Sequence, residues 1–285
     1  MILHAFEQAC LFMPLTLALF MSYKILKITD LATEASYLFG AALFAVCISM
    51  KCSLPTCMAV SLCGGALVGS ITSTLQRFLG FSDLISGILT IFLLHSVSLQ
   101  VMGRPNISLY DKPTLVRLAS QHFGDDFGKL VLALSVTLFL AAFLYLLLSS
   151  RLGLTLRAFG NNPRLLRLFG KSDKLYCYIG LMLSNMLAAL GGSLTCQFQG
   201  FTDITMATGV VLTALAAVII GERISSYLAT SSVAKQLLCC FAGILLYFVV
   251  IHSLMELGVE PMHLKMMTAL FTICILAMKR REAVA

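Results

Sequence analysis

Charge is what this chain has least of. Asp, Glu, Lys and Arg make up 12% of its 285 residues against 59% hydrophobic, with a mean hydropathy of +0.94. Soluble domains run roughly 45–50% apolar, so the shortage of charge excludes a soluble globular chain and makes this an integral membrane protein. No Lys or Arg precedes the first apolar run, where MILHAFEQ offers only Glu7. A cleavable signal peptide needs a basic start, so the N-terminus is expected to be retained. No CxxC pair occurs among the ten cysteines; inside apolar runs such residues act as small hydrophobes. The histidines His4, His95, His122, His252 and His263 are scattered, and no metal, haem or iron–sulfur site is expected. Missing too are G-x-x-x-x-G-K-[ST], a paired His-Glu motif and G-x-S-x-G. The chain therefore has none of these devices for gripping ATP, activating a zinc-bound water or aiming a serine nucleophile. It is expected to be no enzyme and to bind no cofactor of its own.

What is present is apolar length. Stretches of about 20 residues suffice to cross a bilayer. They lie near 7–23, 32–50, 54–74, 83–101, 128–149, 175–196, 204–221, 236–255 and 262–278. Without strand alternation these read as helices, so the expected fold is all-α and polytopic, with about nine spans in one transmembrane domain, 1–285. Lys and Arg accumulate in cytoplasmic loops. Lys24, Lys27, Arg77, Arg223 and the tail Lys279, Arg280 and Arg281 fall on one side, while the loops 197–203 and 256–261 have neither residue. That places the N-terminus outside and the C-terminus inside. The loop 102–127 breaks the pattern with Arg104, Lys112 and Arg117, set against Asp111, Asp125 and Asp126. Anionic lipid on the cytoplasmic face accounts for the net charge of +7, and no nucleic-acid partner is implied.

One segment resists both a soluble-loop and a membrane-span reading. Between Arg151 and Lys174, inside the loop 150–174, six Lys or Arg residues meet one Asp. Asn162 suits a helix N-cap, Pro163 the first helical position and Gly170 the left-handed position beyond the end. The spacing predicts a short helix over 163–169. Arg164, Arg167 and Lys171 share one side, and Leu165, Leu168 and Phe169 form an apolar other. Such a helix either lies in the headgroup layer or, compact and capped at both ends, plugs a groove on a partner protein.

The passage LRAFGNNPRLLRLFGKS, 156–172, resembles the cytoplasmic coupling loop of bacterial ABC import permeases of the branched-chain amino acid and ribose type. ITDLATEASYLFGAA (28–42), SGILTIFLLHSVSLQVMGRPNISL (86–109) and LSNMLAALGGSLTCQFQGFTDITMATGVV (183–211) resemble the same superfamily. They are closest to its subgroup assigned to aromatic amino acids such as tryptophan and tyrosine, or left uncharacterised. Asn161 stands where members often carry Asp. The resemblance implies a permease subunit in the bacterial cytoplasmic (inner) membrane that moves a small solute, an amino acid among the candidates. Its partners would be an ABC ATPase that hydrolyses the ATP, an extracytoplasmic substrate-binding protein, a second permease copy and membrane lipid. It assigns ATPase coupling to Arg157, Gly160, Asn161, Asn162, Pro163, Arg164, Leu165, Arg167, Leu168 and Gly170.

The few polar groups in or beside the spans are candidates for a substrate path, because ionisable groups in lipid are costly. They are Asp30, Thr33, Glu34, Asn185, Gln197, Gln199 and Asp203. Against that stand plainer roles: an N-cap for Asp30 and an interhelical hydrogen bond for Asn185. Glycines at Gly65, Gly69, Gly191 and Gly192 suit close helix approach, within one subunit or between two. ITDLATEASYLFGAALFAV from Ile28 also echoes FTDITMATGVVLTALAAVI from Phe201. The copies would run oppositely through the bilayer, as inverted repeats do, unless the match is coincidence between two alanine-rich helix starts. An ion-coupled secondary transporter is the alternative function. It would require carboxylate relays, and the available acids, Asp30, Glu34, Asp83 and Asp203, all lie near span ends.

Overall fold

A backbone in lipid has no water to bond, so long apolar runs close their hydrogen bonds internally as helices. The computed structural model describes residues 2–228 and 232–258, together with 266, 267, 269, 270 and 273. Helix α1 (Ile2–Leu19) continues through a π-helical turn (Phe20–Leu26) into α2 (Ala32–Ser49), α3 (Leu54–Arg77) and α4 (Asp83–Met102). Strand β1 (Asn106–Ser108) and α5 (Leu115–Phe123) precede α6 (Asp125–Ser149), α7 (Arg151–Asn161) and α8 (Pro163–Leu168). Then come α9 (Asp173–Gln199), β2 (Phe201–Asp203), α10 (Val210–Tyr227) and α11 (Val233–Glu256). Eight helices among the described residues are long and apolar enough to cross a membrane. The ninth expected span, 262–278, falls largely outside the described residues.

The polytopic all-α expectation holds, with two local differences. The strands β1 and β2 pair antiparallel, Ile107 opposite Thr202. Their backbone is not lipid-exposed helix but a small cap tying two connections together, and Leu109 N–H donates to the Gly200 carbonyl at 2.8 Å. The seventh span starts at Val210 rather than 204, because Asp203 draws the chain into a turn by accepting from the Thr205 N–H at 2.8 Å. This strand pair, distant in sequence, marks one end of the bundle; for its hairpin-like antiparallel pairing we call it the hairpin end. At the other, Lys27 Nζ donates to Asn161 Oδ1 at 3.0 Å, Lys24 pairs with Glu222, and the Arg77 guanidinium lies over the Phe159 ring at 5.7 Å. We call it the basic end.

Helix α9 is the axle, packed against α1, α2, α3, α5, α7 and α8. Gly65 and Gly69, one turn apart on α3, face Asn185 and Leu181, one turn apart on α9. A Cβ at either glycine would stand 2.5 Å from the opposing carbonyl oxygen. Gly192 likewise abuts the Tyr37 carbonyl of α2. These glycines therefore serve contacts within the chain. Pro14 inside α1 has no N–H to give the Cys10 carbonyl, and Thr137 of α6 donates to that carbonyl at 3.0 Å instead. Ser184 of α9 donates to the Ala18 carbonyl at 2.8 Å where α1 changes to its π turn, a place that leaves backbone acceptors short of donors. The outward faces of α4 and α6 carry Phe92, Leu138, Phe139 and Leu146, all exposed, as a lipid-facing surface requires.

Replacing Gly69 with leucine forces a side chain into the α9 backbone and should destabilise the detergent-solubilised protein by about 3 kcal/mol or more. Cys63→Leu, at an exposed position of the same helix, should leave it unchanged. Thermal unfolding followed by size-exclusion chromatography reads the difference, and equal behaviour of the two variants would contradict the packing.

Candidate functional site

The basic segment folds as two helices set at an angle. Ser150 caps α7, its Oγ accepting from the Gly153 N–H at 3.4 Å. Asn162 caps α8, its Oδ1 accepting from the Arg164 N–H at 3.1 Å, and Pro163 takes the first helical position. Gly170 has φ of +69°, with the Lys171 N–H returned to the Leu166 carbonyl at 2.9 Å. The caps are those the sequence specifies, and the rod ends one residue earlier than expected, at Leu168. Its apolar side differs. Leu168 and Phe169 are 84% and 74% exposed, whereas Leu166 is 3% exposed. A helical wheel over 163–169 alone misses Leu166, because the bend at Asn162 turns α8 back onto α7 and α9. The side chains of Leu165 and Arg167 lie outside the described residues.

Helix α7 joins this rod to the bundle. It buries Gly153, Thr155, Leu156 and Phe159. Gly160 packs against the Ile25 carbonyl in the π turn so closely that a side chain would collide with it. The exposed Asn161 takes the Lys27 hydrogen bond, and Lys171 Nζ donates to Thr155 Oγ1 at 3.2 Å, bracing α8 on α7. Arg77 donates from Nε to Cys177 Sγ at 3.0 Å while covering Phe159, so α3, α7 and α9 meet at one point. Arg157 is half-buried, and its Nε has no hydrogen-bond partner among the described residues. Phe159, Leu166, Lys27 and Arg77 are the parts that sequence reasoning missed. Only Phe159 and Leu166, apolar residues in a basic run, carried a signal.

The expected path residues do not form one group. Asp30, Thr33 and Asn185 come together, fully buried. Asn185 Nδ2 donates to Asp30 Oδ2 at 2.7 Å, the Ala32 N–H donates to Asp30 Oδ1 at 2.9 Å, and Ser36 Oγ donates to Asn185 Oδ1 at 2.5 Å. Thr33 Oγ1 donates to the Asp30 carbonyl at 3.0 Å. Glu34 points elsewhere and accepts from the Gly209 N–H at 3.2 Å. At the hairpin end Gln197 Oε1 accepts from the Leu115 N–H at 2.9 Å at the start of α5. Gln199 lines a cavity beside α1. Asp203 is held below the usual carboxylate range by the Thr205 hydroxyl and N–H, with Asn106 adding a weaker bond. Asp30 and Asp203 thus make the same i→i+2 turn, Asp30 buried beside Asn185 in the middle of α9 and Asp203 just beyond the end of that helix, and the helices after them run in opposite directions.

Burial pushes the Asp30 carboxyl, in the connection between the first two spans, from its ordinary 3.8 up to about 6; Asn185 and the Ala32 N–H oppose this and Asp83 adds to it. The folded state therefore holds this proton more tightly than the unfolded chain. The stability it contributes is complete below about pH 4 and is lost as pH rises through about 6, a change on the order of 3 kcal/mol. The unfolding midpoint in detergent should fall across that window for the wild type and stay flat for Asp30→Asn. Superimposable pH profiles would contradict the assignment.

Comparison with known proteins agrees with this architecture. The chain matches, over residues 1–278, the family described as branched-chain amino acid transport system / permease component. It is 40% identical over 279 residues to an uncharacterized protein of Rickettsia prowazekii (strain Madrid E), covering 98% of this chain and 97% of that one. It is 30% identical over 276 residues to the tyrosine transport system permease protein of Clostridioides difficile (strain R20291), covering 97% and 90%. No solved structure matches it. Eight membrane-capable helices and a match across nearly the whole chain lead to one conclusion: the protein is a multi-pass membrane protein that belongs to the branched-chain amino acid transport system permease family.

Proposed function

We propose that this permease is the membrane-spanning subunit of an ATP-binding-cassette importer, with α8 as the rod gripped by a separate ATPase. The observation that carries the reading is a contrast at the end of one short helix: Leu168 and, just beyond it, Phe169 stand exposed while Leu166 anchors the rod to the bundle. A lipid-surface helix would present one continuous apolar face to the membrane. Here the free apolar side chains sit beyond α7, next to the exposed Arg164 and Lys171, as a plug for a protein groove does. The basic end is then cytoplasmic and the hairpin end faces outward, in accord with the Lys and Arg excess.

Nucleotide binding by two ATPases would draw the rods of two permease copies together. Helix α7, packed on the π turn and α9, carries that movement into α1 and the axle, and the bundle rocks between outward and inward openings. This chain binds no cofactor, and its partner hydrolyses the ATP. An extracytoplasmic binding protein delivers the solute at the hairpin end, and anionic lipid covers the basic rim. The name of the Clostridioides relative supports an amino acid, an aromatic one first, as cargo. Asp30, Thr33 and Asn185 serve the path by fixing α2 on α9, while Gln199 meets the solute.

The test is recovery of the ATPase with the permease from mild detergent. Arg164→Glu and Leu168→Asp should each reduce that recovery about tenfold or more and abolish uptake, with membrane insertion intact. Unchanged uptake without any companion ATPase would favour an ion-coupled carrier instead.

A further inference from the structure

We propose that a polar cavity at the hairpin end of α1 binds a small zwitterion bearing an apolar side chain. The inference deepens the importer reading by naming a contact site for its solute, though its chemistry stands apart from ATPase docking. The cavity is about 190 Å³, below the roughly 300–1,000 Å³ of pockets for drug-sized ligands, and so suits the charged head of a solute. Three helices build it. Helix α1 supplies His4, Glu7 and Gln8, α6 supplies Lys129, and the end of α9 supplies Gln199.

The charges are of opposite sign, on different helices, and are not spent on each other. Glu7 has His4 Nδ1 at 3.9 Å, too far for a hydrogen bond, and Lys129 makes no ion pair among the described residues. Both sit near the ends of the two apolar stretches Leu3–Leu26 and Phe127–Ser149, half-buried and so partly screened from water. A guest carrying an ammonium and a carboxylate compensates both at once: its ammonium meets Glu7, its carboxylate meets Lys129, and Gln8 and Gln199 bond either group.

Phe12 gives the site its second half. Its ring lines the polar cavity and also a neighbouring chamber of about 600 Å³. That chamber is walled by Phe248, whose ring lies 5.1 Å from Phe12, and by Tyr247, whose hydroxyl donates to Thr213 at 3.3 Å. A guest with its charged head among Glu7 and Lys129 can extend an apolar or aromatic side chain past Phe12 into the chamber. Two sources present this chemistry: an amino acid with a bulky side chain, and the headgroup and tail of phosphatidylethanolamine.

The chain contains no tryptophan, so L-tryptophan reports its own binding by fluorescence without background from the permease. The full chain in phosphatidylglycerol nanodiscs should bind L-tryptophan about tenfold more tightly than tryptamine, which lacks the carboxylate, or indole-3-propionate, which lacks the ammonium. Glu7→Gln should bring L-tryptophan down to the level of indole-3-propionate, and Lys129→Met to that of tryptamine. Gly69→Leu is avoided as a control because it disturbs the fold; Glu7→Gln and Lys129→Met lie at partly exposed positions. If nanodiscs with phosphatidylethanolamine abolish binding, the site stands with lipid as its occupant; if they leave it unchanged, the occupant is the free solute. Equal binding of the three probes, or none in either disc, overturns the proposal. ATPase recovery from the same preparations separates the two readings: a retained ATPase without charge-selective binding removes this site and keeps the importer, and the converse result does the reverse.

Discussion

Lipid tails are as apolar as leucine, so helices in a bilayer are not driven together by the hydrophobic effect and must hold one another by close approach. Here that approach is concentrated on α9. Glycines of α3 and of α9 itself bring the backbones of α2, α3 and α9 into contact, and Ser61 of α3 and Ser36 of α2 add hydrogen bonds to α9. A rigid axle results. The helices α4 and α6, by contrast, expose large apolar side chains on their outer faces, as a surface turned to lipid does.

The axle matters because the basic segment is fixed to it. Helix α7 touches the π turn of α1 through Gly160 and reaches α9 and α3 through Phe159, Arg77 and Cys177. A push on α8 therefore arrives at three spans at once. A flexible loop of the same composition would absorb it. On the proposed reading the exposed apolar tip and the buried anchor of α8 are two halves of one lever, which a transport permease needs if its energy comes from another subunit.

Much of this was legible in the chain. Apolar length located eight spans to within a few residues at most ends, and Asn162, Pro163 and Gly170 marked the rod, since caps are local chemistry. The glycine spacing of Gly65 and Gly69 announced a close contact but not its partner; α9 is over a hundred residues away. Asp203 hid the start of α10, because an apolar count takes no notice of a carboxylate that turns the chain. Leu166 was missed because a wheel over 163–169 cannot show that the bend at Asn162 folds α8 back onto α7 and α9. Of the polar groups, Asn185 was read as a candidate for an interhelical hydrogen bond and Asp30 as a cap, but their pairing was not legible, because they lie 155 residues apart. Lys129 was not singled out and Glu7 was read only in the argument on the N-terminus, as each alone is an ordinary charge near a span end.

The central claim is that force passes from α8 into the bundle through the contact of α7 with the π turn. Gly160→Leu tests it most directly, since the new side chain must push α7 off the Ile25 carbonyl without altering the rod that the ATPase would grip. Uptake and ATP hydrolysis are measured together in proteoliposomes. The account predicts that the ATPase still co-purifies and hydrolyses ATP while uptake falls about tenfold or more. Full uptake in the Gly160→Leu protein would contradict it.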